Sequence, residues 1–525
     1  MQSRIDQLNS IGIALSTERD KTRLMKIILA GAQDLTNADG CTLYLLEDDQ
    51  LHFKIMHNQS LALDLIDDNE NSIPLPAIPL YKDKGEANLK TVAAHAALTG
   101  KTTNIPDIYK NTDFDFSGTR EYDARIGYIS RSFLTIPIRN HEDDVIGVLQ
   151  LINSINPGNK QIQPFSDEDT QVVESLASQA AIALTNHNLI QELQNLLEKF
   201  IEIIAGAIDE KSPYTGDHCR RVPEIAMALA GAINNTDNGP LADFLLDEKQ
   251  LYELRIAALL HDCGKITTPV HVVDKATKLE TIFDRIQLLE SRFEIIRRDI
   301  EIAQLKQQLQ TAGLTYDTSA IENQFNHLNE DFEFLKCANK GTEFMPESDR
   351  DRVRKIAETT WQNHHGETNP LLTEKEIENL TIAKGTLLEE ERKVINNHIV
   401  TTLNMLNALP FPKHLRNVPD IAGNHHERMD GRGYPRGLKR EDMSVQERLM
   451  GIADIFEALT AADRPYKEPM KLSQALCILD DMSRTGHIDP DLFEIFIKQR
   501  VYLAYAEKNL RPQQIDDFDP DDYLR

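Results

Sequence analysis

The stretch from Ser166 to Asp209 constrains the fold more than any other, because it contains no proline and no glycine before Gly206. Within it Val172, Leu176, Gln179, Ala183, Asn186, Ile190, Leu193, Leu197, Phe200 and Ile204 alternate spacings of four and three, a seam of period 3.5. That spacing predicts a coiled-coil helix, favoured over a helix laid on its own domain. Gln179 and Asn186 are polar, but polar seam residues can fix register.

At roughly 100 to 200 residues per domain, 525 residues hold two to four domains with sizeable cores. Lys and Arg number 57 against 84 Asp and Glu, a net charge of −27, which argues against a general surface for polymeric nucleic acid or anionic membrane. A phosphate ligand therefore needs a local pocket. No apolar run approaches the roughly 18 residues of a membrane span, so no membrane insertion is expected. Met1 to Asp20 carries charges throughout and shows no secretory signal, making the cytoplasm the expected compartment. Cys41, Cys219, Cys263, Cys337 and Cys477 form no CxxC pair, which fits reduced thiols and excludes a thiolate zinc site.

Before the long helix, strand and helix signals mix. Cys41 to Leu46 is apolar, a turn-like Glu47-Asp48-Asp49-Gln50 follows, and Leu51, Phe53 and Ile55 then alternate with His52 and Lys54. Ser132 to Ile138 and Val145 to Ile152 read as a second hairpin around a polar connection. Together these predict one α+β domain over 1–165. Asn104-Ile105-Pro106-Asp107, Ile136-Pro137-Ile138 and Ile146-Gly147-Val148-Leu149-Gln150-Leu151 give this third of the chain a layout that resembles a GAF domain. The resemblance implies a sensor with a small ligand or signal of unknown identity.

After the helix, 213–270 and 387–476 show apolar residues at three and four spacing, predicting an all-α bundle. Between them Leu279, Ile282, Ile286, Leu289, Phe293, Ile296, Ile300 and Ala303, then Ile321, Phe325, Leu328, Phe332 and Leu335, predict an inserted helical hairpin within 277–386. The segment 501–525 reads as an acidic carboxy-terminal tail, with Asp516 to Asp522 solvated.

Chemistry concentrates in a few strings. His261-Asp262 closes an apolar helix in Leu259-Leu260-His261-Asp262-Cys263-Gly264-Lys265, and His425-His426-Glu427 leads into Gly431-Arg432-Gly433-Tyr434-Pro435. A buried His-Asp pair needs a partner that offsets its desolvation, and a divalent cation supplies one. Imidazoles with a carboxylate suit iron, manganese or zinc. With His218 in Tyr214-Thr215-Gly216-Asp217-His218 upstream and Ala453-Asp454-Ile455-Phe456-Glu457-Ala458-Leu459-Thr460 and Arg464-Pro465-Tyr466 downstream, the half from about 200 to 475 resembles the HD-GYP branch of the HD-domain phosphohydrolases.

That resemblance implies hydrolysis of a cyclic dinucleotide, cyclic di-GMP first. It assigns one metal to His218, His261, Asp262 and Asp454, and a second to Asp262, His398, His425 and His426. Iron or manganese is favoured, and Asp262 bridges the two. Lys265 is expected to neutralise a phosphate oxygen, while Gly433, Tyr434, Arg464 and Lys467 contact substrate. Tyr214 stands where three-metal members of the family carry Glu, so two metals are expected. Thr402 stands where a Gly is usual, and Pro223 could kink the helix after His218. His364-His365-Gly366 reads as a loop.

The expected architecture is an α+β GAF domain (1–165), a signalling helix (166–209), an all-α HD-GYP domain (210–276 and 387–500) interrupted by the insertion, and the tail. A parallel homodimer is expected through the signalling helix. Two alternatives stay open: a preference for cyclic GMP-AMP, and a nucleotide-binding signalling or interaction protein with little turnover.

Overall fold

The computed structural model describes residues 2–67, 73–82, 85–211, 217–310, 319–341, 344–363, 365–461 and 469–524. They form two compact units, 1–196 and 197–525. The expected residues Tyr214, His364, Arg464 and Lys467 lie outside the described set. No described helix is long and apolar enough to cross a membrane.

In the amino-terminal unit, helices α1 (Gln2–Thr17) and α2 (Lys21–Thr36) precede strands β1 (Ala38–Glu47), β2 (Gln50–Asn58), β3 (Leu63–Ile66) and β4 (Ile78–Pro79). Helix α3 (Val92–Thr99), β5 (Thr103–Ile105), α4 (Ser117–Ile126), β6 (Phe133–Arg139), β7 (Val145–Ile155) and β8 (Ile162–Gln163) follow. The sheet runs β3-β2-β1-β7-β6-β5, antiparallel throughout. The predicted turn between β1 and β2 places Asp48 and Asp49 at φ of 48° and 59°, the left-handed geometry that matches a hairpin's twist.

One face of this sheet packs on α2 through Leu24, Ile28 and Leu35 and on the start of α5 (Asp167–Lys211) through Val173, Leu176, Ala180 and Leu184. The other face, under α3, borders a cavity of about 730 Å³. The spacing on α5 that suggests a single seam is divided: Leu176 is spent on the sheet, and Leu197 packs on the helical core of the second unit. Exposed apolar residues fall at Ile182, Leu189, Ile190, Leu193, Leu196, Phe200, Ile203 and Ile204, a stripe that takes in Ile190, Leu193, Phe200 and Ile204 of the expected seam together with their neighbours.

The second unit contains α6 (His218–Asn234), α7 (Glu248–Leu260), α8 (Val270–Val273), α9 (Ile286–Gln310), α10 (Ser319–Asn339) and α11 (Glu347–Ala357). Then come β9 (Thr360–Gln362), β10 (Thr368–Pro370), α12 (Glu374–Leu380), α13 (Glu389–Asn396), α14 (His398–Asn407), α15 (Val418–Gly423) and α16 (Val445–Thr460). Helices α17 (Leu472–Arg484), α18 (Pro490–Lys498) and α19 (Val501–Asn509) end it. Helix α6 continues through Pro223 as one run.

Two differences from the sequence reading stand out. The insertion is more than a hairpin: α9, α10, α11, α12 and the β9-β10 pair share a core of Leu279, Leu289, Phe293, Leu335, Val353 and Leu372. The carboxy-terminal segment is no solvated tail. Val501, Tyr502 and Tyr505 are buried in the main helical core, and Ile515, Phe518, Tyr523 and Leu524 pack on it.

Candidate metal centre

Helix ends deliver most of the site. His218 opens α6, His261 caps α7 with Asp262 next, His398 opens α14, and His425-His426 follow α15, whereas Asp454 projects from within α16. The 3₁₀ turn Cys263–Thr267 carries Lys265 beside them. The structure therefore gathers His218, His261, Asp262, Lys265, His398, His425, His426 and Asp454 into one place.

Ligand atoms of His218, His261 and Asp262 lie within 4.8 Å of one another, and so do those of His398, His425 and His426. The two oxygens of Asp262 divide between these sets. Oδ2 is 3.3 Å from His218 Nε2 and 3.4 Å from His261 Nε2, while Oδ1 is 3.3 Å from His398 Nε2. Asp454 also spans the site, with Oδ1 3.3 Å from His218 Nε2 and Oδ2 4.0 Å from His426 Nδ1.

The unsatisfied atoms test whether a metal fits. Asp262 Oδ1, His398 Nε2 and His425 Nε2 are buried without a hydrogen-bond partner, a costly arrangement for acceptors in a low-dielectric interior. His261 Nδ1 donates to the Ala258 carbonyl, so in the neutral ring Nε2 carries a lone pair that faces His218 Nε2 at 3.2 Å. Converging lone pairs and carboxylates call for a cation. Burial lowers His425 well below the ordinary imidazole range and brings His426 down to about 4, so both rings are neutral, as metal ligation requires.

Burial opposes ionisation of Asp262, yet the Lys265 ammonium beside it holds its pKa well below the usual carboxylate value. Lys265 Nζ lies 2.5 Å from Asp262 Oδ2.

Glycine explains how the strings meet. A Cβ on Gly433 would stand 2.4 Å from Glu427 Cα, so only glycine lets the Gly433-Tyr434-Pro435 turn lie on the His425-His426-Glu427 backbone. Tyr434 then packs on His426 with ring centroids 4.9 Å apart, and the Tyr434-Pro435 peptide is cis. Glu427 anchors the loop by accepting the amides of Arg436, Gly437 and Leu438 at 2.6, 3.2 and 2.9 Å.

Three contributors escape the sequence reading. Glu457 Oε2 lies 2.5 Å from His218 Nδ1, and Arg221 Nε donates to Glu457 Oε1 at 2.7 Å. Lys211, at the end of α5, donates to the carbonyls of Lys265 (3.0 Å), Ile266 and Thr268 (2.7 Å). The signal for Glu457 and Arg221 was their place three residues after Asp454 and His218, on the same helix faces as those ligands.

Comparison with known proteins finds domain matches in both parts of the chain. A model of the GAF domain matches residues 20–184, and models of the HD domain match 215–331 and 374–492. A 3'3'-cGAMP-specific phosphodiesterase 3 of Vibrio cholerae is 39% identical over 133 residues, 25% of this chain and 27% of that protein. A probable cyclic di-GMP phosphodiesterase of the same organism is 27% identical over 252 residues, 45% of this chain and 54% of that protein. The matches thus span between about a quarter and a half of these relatives. The GAF domain of an Acinetobacter phosphoenolpyruvate-protein phosphotransferase aligns over 36% of this chain and 98% of that structure at 18% identity, with a TM-score of 0.27. An HD domain implies dependence on a divalent metal, which the donor set fits. The chain is built of an α+β GAF domain followed by a helical HD domain.

Proposed function

We infer that the chain is a metal-dependent phosphodiesterase of the HD-GYP type that opens a cyclic dinucleotide, cyclic di-GMP first, under control of its GAF domain. The observation that carries this reading is Asp262, whose two oxygens face two separate donor sets. His218, His261, Asp262 and Asp454 would hold one divalent ion, and Asp262, His398, His425 and His426 a second, iron or manganese by donor type. Such a pair, when bound, polarises a phosphodiester and makes water nucleophilic at neutral pH.

The protein's own groups do the rest. Lys265 keeps its ammonium beside Asp262, where it can meet a non-bridging phosphate oxygen as charge builds. Tyr434, fixed on His426 by the Gly433 turn, offers an aromatic wall to a base. Arg464 and Lys467 are proposed as further substrate contacts.

The relative named as specific for 3'3'-cGAMP supports cyclic GMP-AMP as a second substrate. Protein purified anaerobically with iron or manganese and given each cyclic dinucleotide, with products resolved by chromatography, tests both. Cleavage of neither would end the reading.

The cavity of about 730 Å³ in the GAF unit, bordered by Tyr44, Phe53, Phe116, Asn58 and Gln150, is proposed to take the small ligand. The exposed stripe from Leu189 to Ile203 supports a parallel homodimer through α5.

A further inference from the structure

The two donor sets differ in chemistry. His218 Nε2 has carboxylate oxygens of both Asp262 and Asp454 at 3.3 Å, whereas His398, His425 and His426 are three imidazoles with Asp262 Oδ1 3.3 Å from His398 Nε2 and Asp454 Oδ2 only at 4.0 Å from His426 Nδ1.

The far ring nitrogens differ too. His261, His398 and His425 each turn Nδ1 to the carbonyl three residues back, of Ala258, Ile395 and Ala422, at 2.8, 2.5 and 2.5 Å. His218 instead meets a carboxylate, Glu457 Oε2, at 2.5 Å. Glu457 is 1% exposed, and Arg221 pins its other oxygen, so the pair has one geometry. A carboxylate on the outer nitrogen fixes the tautomer with Nε2 free and makes the ring a stronger donor than a carbonyl does.

Resting on the binuclear reading, we propose that Glu457 is a positioning residue that makes the His218 position the tighter of the two. The first divalent ion taken up settles among His218, His261, Asp262 and Asp454. The second binds more weakly at His398, His425 and His426.

Metal-free protein titrated anaerobically with Mn(II) against a competing chelator would show two steps. Glu457→Gln keeps the shape of the side chain and should weaken the first step by about 10–100-fold, while the second moves by less than about threefold. Equal loss in both steps, loss in the second alone, or no loss overturns the proposal. Crystals of the unmodified chain carrying one equivalent of Mn(II) give a check free of any substitution. Anomalous signal belongs at the His218 position, and signal at His398 or split evenly overturns the order. A chain that takes up no Mn(II) would sink the binuclear reading along with it, whereas two ions taken up in one unresolved step would spare that reading and defeat only the order.

Discussion

A Cβ on Gly264 would stand 2.0 Å from the His398 carbonyl oxygen and 2.6 Å from the Thr402 nitrogen. The glycine of the His-Asp string is therefore what lets α14 bring His398 to Asp262. Thr402, where the family resemblance leads one to expect glycine, uses its hydroxyl to accept the Gly264 amide at 2.9 Å and to donate to the His261 carbonyl at 3.3 Å. Because Asp262 serves both donor sets, Asp262→Ala should lower metal affinity by at least about 100-fold and take turnover to background with helical content retained. Metal analysis and turnover on one sample check it, and parental hydrolysis without metal would refute the role. Of the residues gathered at the site, all but His398 were legible because each sits in a short string, and His398 came only from the family resemblance, whereas Glu457 and Arg221 meet only through packing of α16 on α6. A second titratable residue matters for stability. Lys278, 1% exposed, donates to the carbonyls of Leu380 and Ile382, and burial brings its pKa down to about 8. Below about pH 8 it is charged in both the folded and unfolded chain. From there toward its ordinary pKa near 10.4 the unfolded chain holds the extra proton, so stability should rise with pH across that window. Thermal unfolding of Lys278→Met should lack that increment relative to the parent, and parallel curves would disprove it.

Among the elements, α5 shows why a spacing read from sequence does not say which surface each position serves. Its period is real, but the apolar positions serve three surfaces: the sheet through Leu176 and Leu184, the helical core through Ile201, Ala205 and Ile208, and the exposed stripe. Sequence alone cannot apportion them. A test of dimerisation should thus spare Leu197, which packs on the helical core. Leu193→Glu with Phe200→Glu, residues 67% and 56% exposed, should yield monomers by light scattering without loss of the helical fold. A dimer that persists would move the interface off this helix. The β9-β10 pair was not legible, because strands of three residues around Asn363 carry no alternation to read. At the carboxy terminus the acidic run misled: Asp516 accepts from the Ser473 amide and hydroxyl at 3.0 and 2.7 Å, while Phe518 within the run and Tyr523 just after it pack on the core.

For the whole molecule, the two-part architecture was legible because the hydrophobic period changes from two to helical spacing across the chain. The insertion's own core was not, since it depends on which face of α9 meets α11 and α12. The net charge of −27 bears on the dianionic cyclic dinucleotide proposed as substrate. At low ionic strength, about 0.01 M, the Debye length is about 30 Å and the molecule's summed negative field opposes approach of a cyclic dinucleotide. Near 0.15 M it shrinks to about 8 Å, leaving mainly groups near the site, Lys265 among them, to act on the phosphates. Raising salt over that range should therefore increase kcat/KM for cyclic di-GMP a few-fold, the reverse of an electrostatically steered enzyme, with kcat little changed. Initial rates at fixed metal concentration in a non-coordinating salt measure it. A fall in kcat/KM with salt would show that the positive groups around the site outweigh the global charge and would overturn this expectation.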